Sequence, residues 1–166
     1  TYSNTNLAAG TTYSYTVSAY DAAGKESAQS AAKNETTWII VDNVDAGFSA
    51  SVDWVTSSYS SDKYGADYRW RSTQAISDQA VWTFNIPTAD TYEIYAWWSQ
   101  GSNRSPTAPY TVNGGSVISK NQQTAGGQWN SLGTFSLAAG SNNVKLSCWT
   151  GSGYVVIADA IRVVRR

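Results

Sequence analysis

The side chains able to do chemistry are unevenly supplied in this 166-residue chain. There is no histidine, and Cys148 is the single cysteine, so imidazole-based triads, cysteine–histidine zinc centres and internal disulfides are excluded. Cys148 alternates with Val144 and Leu146, the spacing of a buried thiol on a strand. Asp and Glu together number 12, and many stand in turn-like contexts, such as Asp21, Asp45, Asp62, Asp78 and Asp90. A glycosidase needs two carboxyls roughly 5–10 Å apart. A pair such as Asp53 with Asp67 would have to be brought together by the fold, and nothing in the sequence favours it. The excess lies in the aromatics: 8 Trp and 11 Tyr beside 3 Phe. Trp and Tyr join a flat apolar face to a hydrogen-bonding handle. With only 14% of residues charged, so many of them argue that part of the set serves a binding surface.

Three segments put aromatic faces beside amides and guanidinium groups. "KYGADYRWR" offers Tyr64, Tyr68, Arg69, Trp70 and Arg71. "WWSQGSNR" offers Trp97, Gln100, Asn103 and Arg104. "QQTAGGQWN" offers Gln122, Gln123, Gln128, Trp129 and Asn130. Trp149, beside the "TGSGY" turn, points outward if Leu146 and Cys148 point inward. Each has a plainer reading. Tyr64 and Tyr68 also suit plugs of a loop against the edge of a sheet, the arginines suit ties to loop carbonyls, and Trp129 suits the start of a strand. Trp54 and Trp82 read as core.

The elements that must position these residues are strands. Short alternating runs bounded by Gly, Asn, Ser and Asp predict strands near 12–20, 38–42, 52–56, 79–86, 91–98, 108–113, 116–120, 131–137, 143–149 and 154–164. No helical period intervenes, which argues for an antiparallel sandwich. Ala80, Trp82, Phe84 and Ile86 share one face of their run. Tyr92, Ile94, Ala96 and Trp98 share the core-like face of theirs, which sends Trp97 to the other side. "YVVIADAIRVV" is apolar on both faces, as an interior strand would be, and Asp159 inside it needs a buried partner.

A net charge of −1 gives no nucleic-acid footprint, and no run of 18 apolar residues suggests a membrane-spanning helix. "VDNVDAG" at 41–47 fits a structural calcium ion and Asx turns alike, so no cofactor is assigned. The chain opens in mid-pattern without a signal-peptide pattern and reads as a piece of something longer. Composition shifts near residue 37, dividing it into residues 1–37 and 38–166.

Residues 6–32, "NLAAGTTYSYTVSAYDAAGKESAQSAA", resemble the C-terminal half of a fibronectin type III domain, and that likeness puts Tyr13 at the tyrosine-corner position. Residues 38–164 resemble the golvesin C-terminal-like family, also described as the xanthan lyase carbohydrate-binding-like domain. The likeness is carried in order by "IIVDNVDAGFSASVDW", "YGADYRW", "VWTFNIPTADTYEIYAWW", "GSNRSPTAPYTV", "GGQWNSLGTFSLAAG" and "VVIADAIRVV". It implies an all-β antiparallel jelly-roll β-sandwich, preceded by the partial fibronectin type III-like segment. It also implies a non-catalytic carbohydrate-binding module of a secreted, extracellular bacterial enzyme acting on polysaccharide, whose partners are the polysaccharide and a catalytic domain of the same parent chain, with no nucleic acid or membrane.

The residues suit that ligand. A pyranose has a C–H face that an indole or phenol can cover and a hydroxyl rim for Asn, Gln and Arg. Arg adds a planar fork for the carboxylate of an anionic, xanthan-like sugar. The ligand-binding set expected on these grounds is Tyr64, Tyr68, Arg69, Trp70, Arg71, Trp97, Asn103, Arg104, Gln123, Trp129 and Trp149. The competing readings are a structural interdomain assembly module that binds no glycan, and a small polysaccharide lyase using Tyr and Arg.

Overall fold

A computed structural model describes residues 3–5 and 7–166. Thr1, Tyr2 and Asn6, the last of which opens the fibronectin-like stretch, lie outside the described residues. Every regular element among the described residues is a strand. The first seven are β1 (Thr12–Tyr15), β2 (Lys33–Thr36), β3 (Ile39–Val41), β4 (Phe48–Ser49), β5 (Val55–Ser57), β6 (Tyr68–Ser72) and β7 (Gln79–Ile86). They are followed by β8 (Asp90–Ala96), β9 (Ala108–Val112), β10 (Ile118–Lys120), β11 (Asn130–Leu137), β12 (Gly140–Ser147), β13 (Val155–Ala158) and β14 (Ile161–Arg165).

The strands form a jelly-roll sandwich. One sheet has the order β10-β9-β12-β7-β4 and the other β11-β8-β14-β3, with antiparallel pairing throughout. The chain crosses between the two sheets at β3–β4, β7–β8, β8–β9, β10–β11 and β11–β12, so each inner face is built from sequence-distant segments. Alternation decides what goes inside. Ala80, Trp82, Phe84 and Ile86 of β7 face Tyr92, Ile94 and Ala96 of β8 across a core completed by Tyr110, Val144, Leu146, Cys148 and Ile161. Trp54, Trp82 and Trp98 are buried, as is the Cys148 thiol. A third sheet, β13-β6-β5, covers one end of the sandwich.

The structure departs from the expected strands in several places: β4 (Phe48–Ser49) was not expected, and the run 12–20 is a strand only over Thr12–Tyr15. Residues 68–72 are a strand; Tyr68, Arg69, Trp70 and Arg71 all carry large amphipathic side chains, so no apolar period marks them. The run 154–164 is two strands: the chain leaves the third sheet after Ala158 and enters the four-stranded sheet at Ile161. Its corner is held by the Trp82 indole N–H donating to the Asp159 carbonyl (3.1 Å) and the Trp97 N–H donating to the Ala160 carbonyl (2.8 Å). Residues 33–36 are also a strand, paired with β1.

Residues 7–37 form a ribbon. Beyond β1 and β2 its arms stay linked to a turn in which Asp21 accepts from the Ala23 and Lys25 N–H groups. The Tyr13 hydroxyl accepts from the Ala8 N–H at 2.9 Å. The ribbon's base is seated at Gly10, whose N–H donates to the Thr37 carbonyl. Gly10 has φ +67°, and a Cβ there would stand 3.0 Å from Ile39 Cδ1.

Candidate functional site

The loops 42–47, 58–67, 97–107, 121–129 and 148–154 gather at the end of the sandwich where β8 and β12 finish and β11 and β14 begin. They are tied to one another by side chains. The adjacent tryptophans after β8 reach apart: Trp98 donates to the Thr124 carbonyl (3.0 Å) and Trp97 to the Asp62 carbonyl (2.9 Å). Asp62 also accepts from the Gln100 N–H, and Gln100 accepts from the Gly126 N–H. Gln123 donates to the carbonyls of Ser102 (3.1 Å) and Arg104 (3.0 Å), so it holds the loop backbone. Gln122 is fully buried, bonded to the Tyr110 hydroxyl and to both backbone groups of Ile157. It is therefore part of the scaffold and not free to meet a ligand.

Within this frame Tyr68, Trp70, Asn103, Arg104 and Val155 line a cavity of about 210 Å³. β6 supplies the two rings, and the 97–107 loop supplies the amide and guanidinium. That loop is drawn against β13 by the Val155 N–H to the Asn103 carbonyl (2.9 Å) and the Ser105 N–H to the Val155 carbonyl (2.8 Å). The Arg104 Nη1 donates to Asn103 Oδ1 at 2.6 Å, which fixes the plane of the guanidinium. Its Nε is buried without a partner, and no carboxylate lies within ion-pair distance of it among the described residues. The Tyr68 ring is buried, but its hydroxyl meets Ser60 Oγ at 3.2 Å. Burial alone would raise that phenol; bonding to Ser57 and Ser60, with the Arg104 charge nearby, brings it below its ordinary value. The cavity thus offers apolar wall, neutral amide and unpaired cation together.

Tyr64, Trp97 and Trp129 form a separate cluster, with centroids 5.5 Å (Tyr64–Trp97), 5.2 Å (Tyr64–Trp129) and 5.3 Å (Trp97–Trp129) apart. Trp97 is thus half-buried rather than a free platform. The cluster continues onto the outer face of the four-stranded sheet, where the Arg162 guanidinium sits over Trp38, Tyr95 and Trp129. Sequence reasoning did not select Trp38, Tyr95 or Arg162. Alternation along β8 puts Tyr95 on the same face as Trp97, but only the pairing of Arg162 with Tyr95 brings the cation there.

Beneath Tyr64 lies Asp159, fully buried, with Oδ2 accepting from the Tyr64 N–H (3.1 Å) and Oδ1 unpartnered. Burial pushes this carboxyl up to about 8; the charges of Asp42, Asp62 and Asp67 add to the rise and the Tyr64 N–H opposes it. Burial raises Asp42 as well, and burial with the Asp42 and Asp45 charges raises the Tyr64 phenol. The 42–47 loop is closed by its own acids: Asp45 Oδ2 accepts from the Asp42 N–H, Asp42 Oδ1 from the Asn43 N–H, and the Asp45 N–H donates to the Asp42 carbonyl. Among the described residues no three metal-ligating side chains converge.

The remaining expected residues lie elsewhere. Arg71 is buried and paired with Asp53 (3.1 Å) and Asp78 (2.9 Å), so it ties carboxylates of the scaffold rather than loop carbonyls. Asp53 is bonded to Arg71, whereas Asp67 accepts from Asn43 Nδ2. Arg69 faces a groove with Asn43, Asp45 and Phe48. Trp149 is 59% exposed and forms no ring pair with either aromatic group among the described residues.

The golvesin C-terminal domain family model matches residues 39–165. The chain is 35% identical over 135 residues to the xanthan lyase of Bacillus sp. (strain GL1), covering 76% of this chain and 14% of that enzyme. Among solved structures it is similar to a Paenibacillus xanthan lyase, with TM-score 0.73, 33% identity, and coverage of 81% of this chain and 14% of the enzyme. It shares its fold with a family 35 carbohydrate-binding module, CBM35 from Cellvibrio japonicus Abf62, at TM-score 0.60 and 18% identity, over 77% of this chain and 93% of the module. The chain therefore spans about a seventh of the length of the lyases it matches.

Proposed function

The chain belongs to the golvesin C-terminal domain family, and from that premise we propose that it is a non-catalytic carbohydrate-binding module of a secreted bacterial polysaccharide-degrading enzyme. One observation carries this reading: the cavity in which Tyr68 and Trp70 stand beside Asn103 and an Arg104 that has no carboxylate partner among the described residues. A sugar ring entering it covers apolar wall with its C–H face while its hydroxyls exchange water for the Asn103 and Arg104 groups. The net gain per hydroxyl is small, so binding is weak at one site, and its use is to raise the concentration of a tethered catalytic domain near its substrate. The unpaired guanidinium favours an anionic glycan, and xanthan is the first to test. Residues 1–37 are read as a partial fibronectin type III-like segment that serves as a spacer.

Affinity electrophoresis through gels containing xanthan or neutral polysaccharides tests the reading. The parent protein should be retarded, and Trp70→Ala and Arg104→Ala should each lose most of the retardation. No release of reducing or unsaturated ends should accompany binding. A parent protein retarded by none of the polysaccharides would end this proposal.

A further inference from the structure

Arg162 has an arrangement that the pocket does not explain. It lies on the outer face of the four-stranded sheet, paired in register with Tyr95. Its Cζ is 4.6 Å from the ring centroid of Trp38, 4.5 Å from that of Tyr95 and 4.9 Å from that of Trp129. Its neighbours along the chain have spent their charges: Arg165 pairs with Asp90 and Arg166 with Glu93. Glu93, the acid on the same outer face, also accepts from the Ser131 hydroxyl. The Arg162 side chain makes no ion pair and no hydrogen bond among the described residues, and its Nε is covered.

A guanidinium carries five N–H donors in a rigid plane. Rings packed over it fix that plane and remove water from its faces, which strengthens attraction to an anion arriving at its edge. Trp38, 54% exposed, offers an indole to whatever carries the anion. We propose that Trp38, Tyr95, Trp129 and Arg162 form a second binding surface for a carboxylate-bearing sugar, whose ring covers an indole while its carboxylate meets the Arg162 donors. This inference rests on the reading that the chain binds polysaccharide. It adds a contact that requires an anion, separated from the pocket by the 58–67 loop, whose Ser60 approaches Arg104 (3.5 Å) and whose Asp62 carbonyl holds Trp97. Two such contacts on one polysaccharide strand raise retention beyond either alone.

The test uses xanthan and carboxyl-reduced xanthan in affinity gels, each referred to a gel without polysaccharide. Arg162→Gln should lower retardation at least threefold in the acidic gel and leave it unchanged in the reduced one, and Trp38→Ala should lower it at least threefold in the acidic gel. Trp70→Ala should lower it in both. Arg162→Lys, which keeps a cation but not the planar fork, should recover only part of the loss, and thermal melts of all variants verify folding. If folded Arg162→Gln and Trp38→Ala migrate like the parent in the acidic gel while Trp70→Ala does not, the second surface is refuted and the pocket stands. The opposite pattern upholds the surface and removes the pocket. A parent protein retarded in neither gel overturns both.

Discussion

The indole N–H of Trp97 donates to the backbone carbonyl of Asp62 at 2.9 Å, across 35 positions of sequence. The tryptophan that strand alternation turns away from the core is thereby used to hold the loop carrying Tyr64, while its neighbour Trp98 holds the loop carrying Trp129. Trp97→Ala removes a hydrogen bond and two aromatic contacts at a half-buried site. It should cost about 2–4 kcal/mol in chemical denaturation, and Trp97→Phe roughly half as much. Equal stability of Trp97→Ala and the parent would show that the loop is held by other contacts.

Arg71 is the buried cation of the scaffold, between Asp53 and Asp78. Arg71→Ala leaves the largely covered Asp78 carboxylate without its guanidinium, and should cost about 2–4 kcal/mol. Asp53→Ala, at the exposed end of the same bridge, should cost under about 1 kcal/mol. Urea titrations of the two variants check the asymmetry.

Asp159 makes stability depend on pH with a definite sign. Folding lifts its pKa from the ordinary value of about 4 to about 8, so between these limits the folded state holds a proton that the unfolded state releases. Stability from this group is full below about pH 4 and is lost as pH rises through about 8. Asp42, also raised, acts in the same direction. The midpoint of unfolding should fall by several degrees between pH 5 and 8, and Asp159→Asn should flatten that slope. An identical slope in the variant would assign the dependence to other groups.

Gly126 lies against the 97–107 loop so closely that a Cβ there would stand 2.5 Å from the Gln100 nitrogen and 2.7 Å from Asp62 Oδ2. Gly126→Ala should therefore separate the two loops and destabilise the protein by about 1–3 kcal/mol. Gly151→Ala, where the same atom would meet nothing within 4 Å, serves as the neutral control. Thermal melts of both variants distinguish a close approach from general loop sensitivity.

The sandwich was legible wherever one face of a strand is buried and the other wet. Alternation along 79–86 and 90–96 is a local property, so Ala80, Trp82, Phe84 and Ile86, and Tyr92, Ile94, Ala96 and Trp98, are placed by their own spacing. Composition likewise announced an aromatic and amide-rich surface and excluded histidine and disulfide chemistry. Strand 68–72 was hidden because its side chains are large and amphipathic on both faces, and the corner at Asp159 because two short apolar strands in series look like one long one. Which aromatics stay together, and which arginine keeps a free charge, depends on pairings between distant segments. Val155 with Asn103, Trp97 with Asp62 and Tyr95 with Arg162 are contacts across 52, 35 and 67 residues, and side chains that far apart in a chain are brought together only by the closing of the sheets.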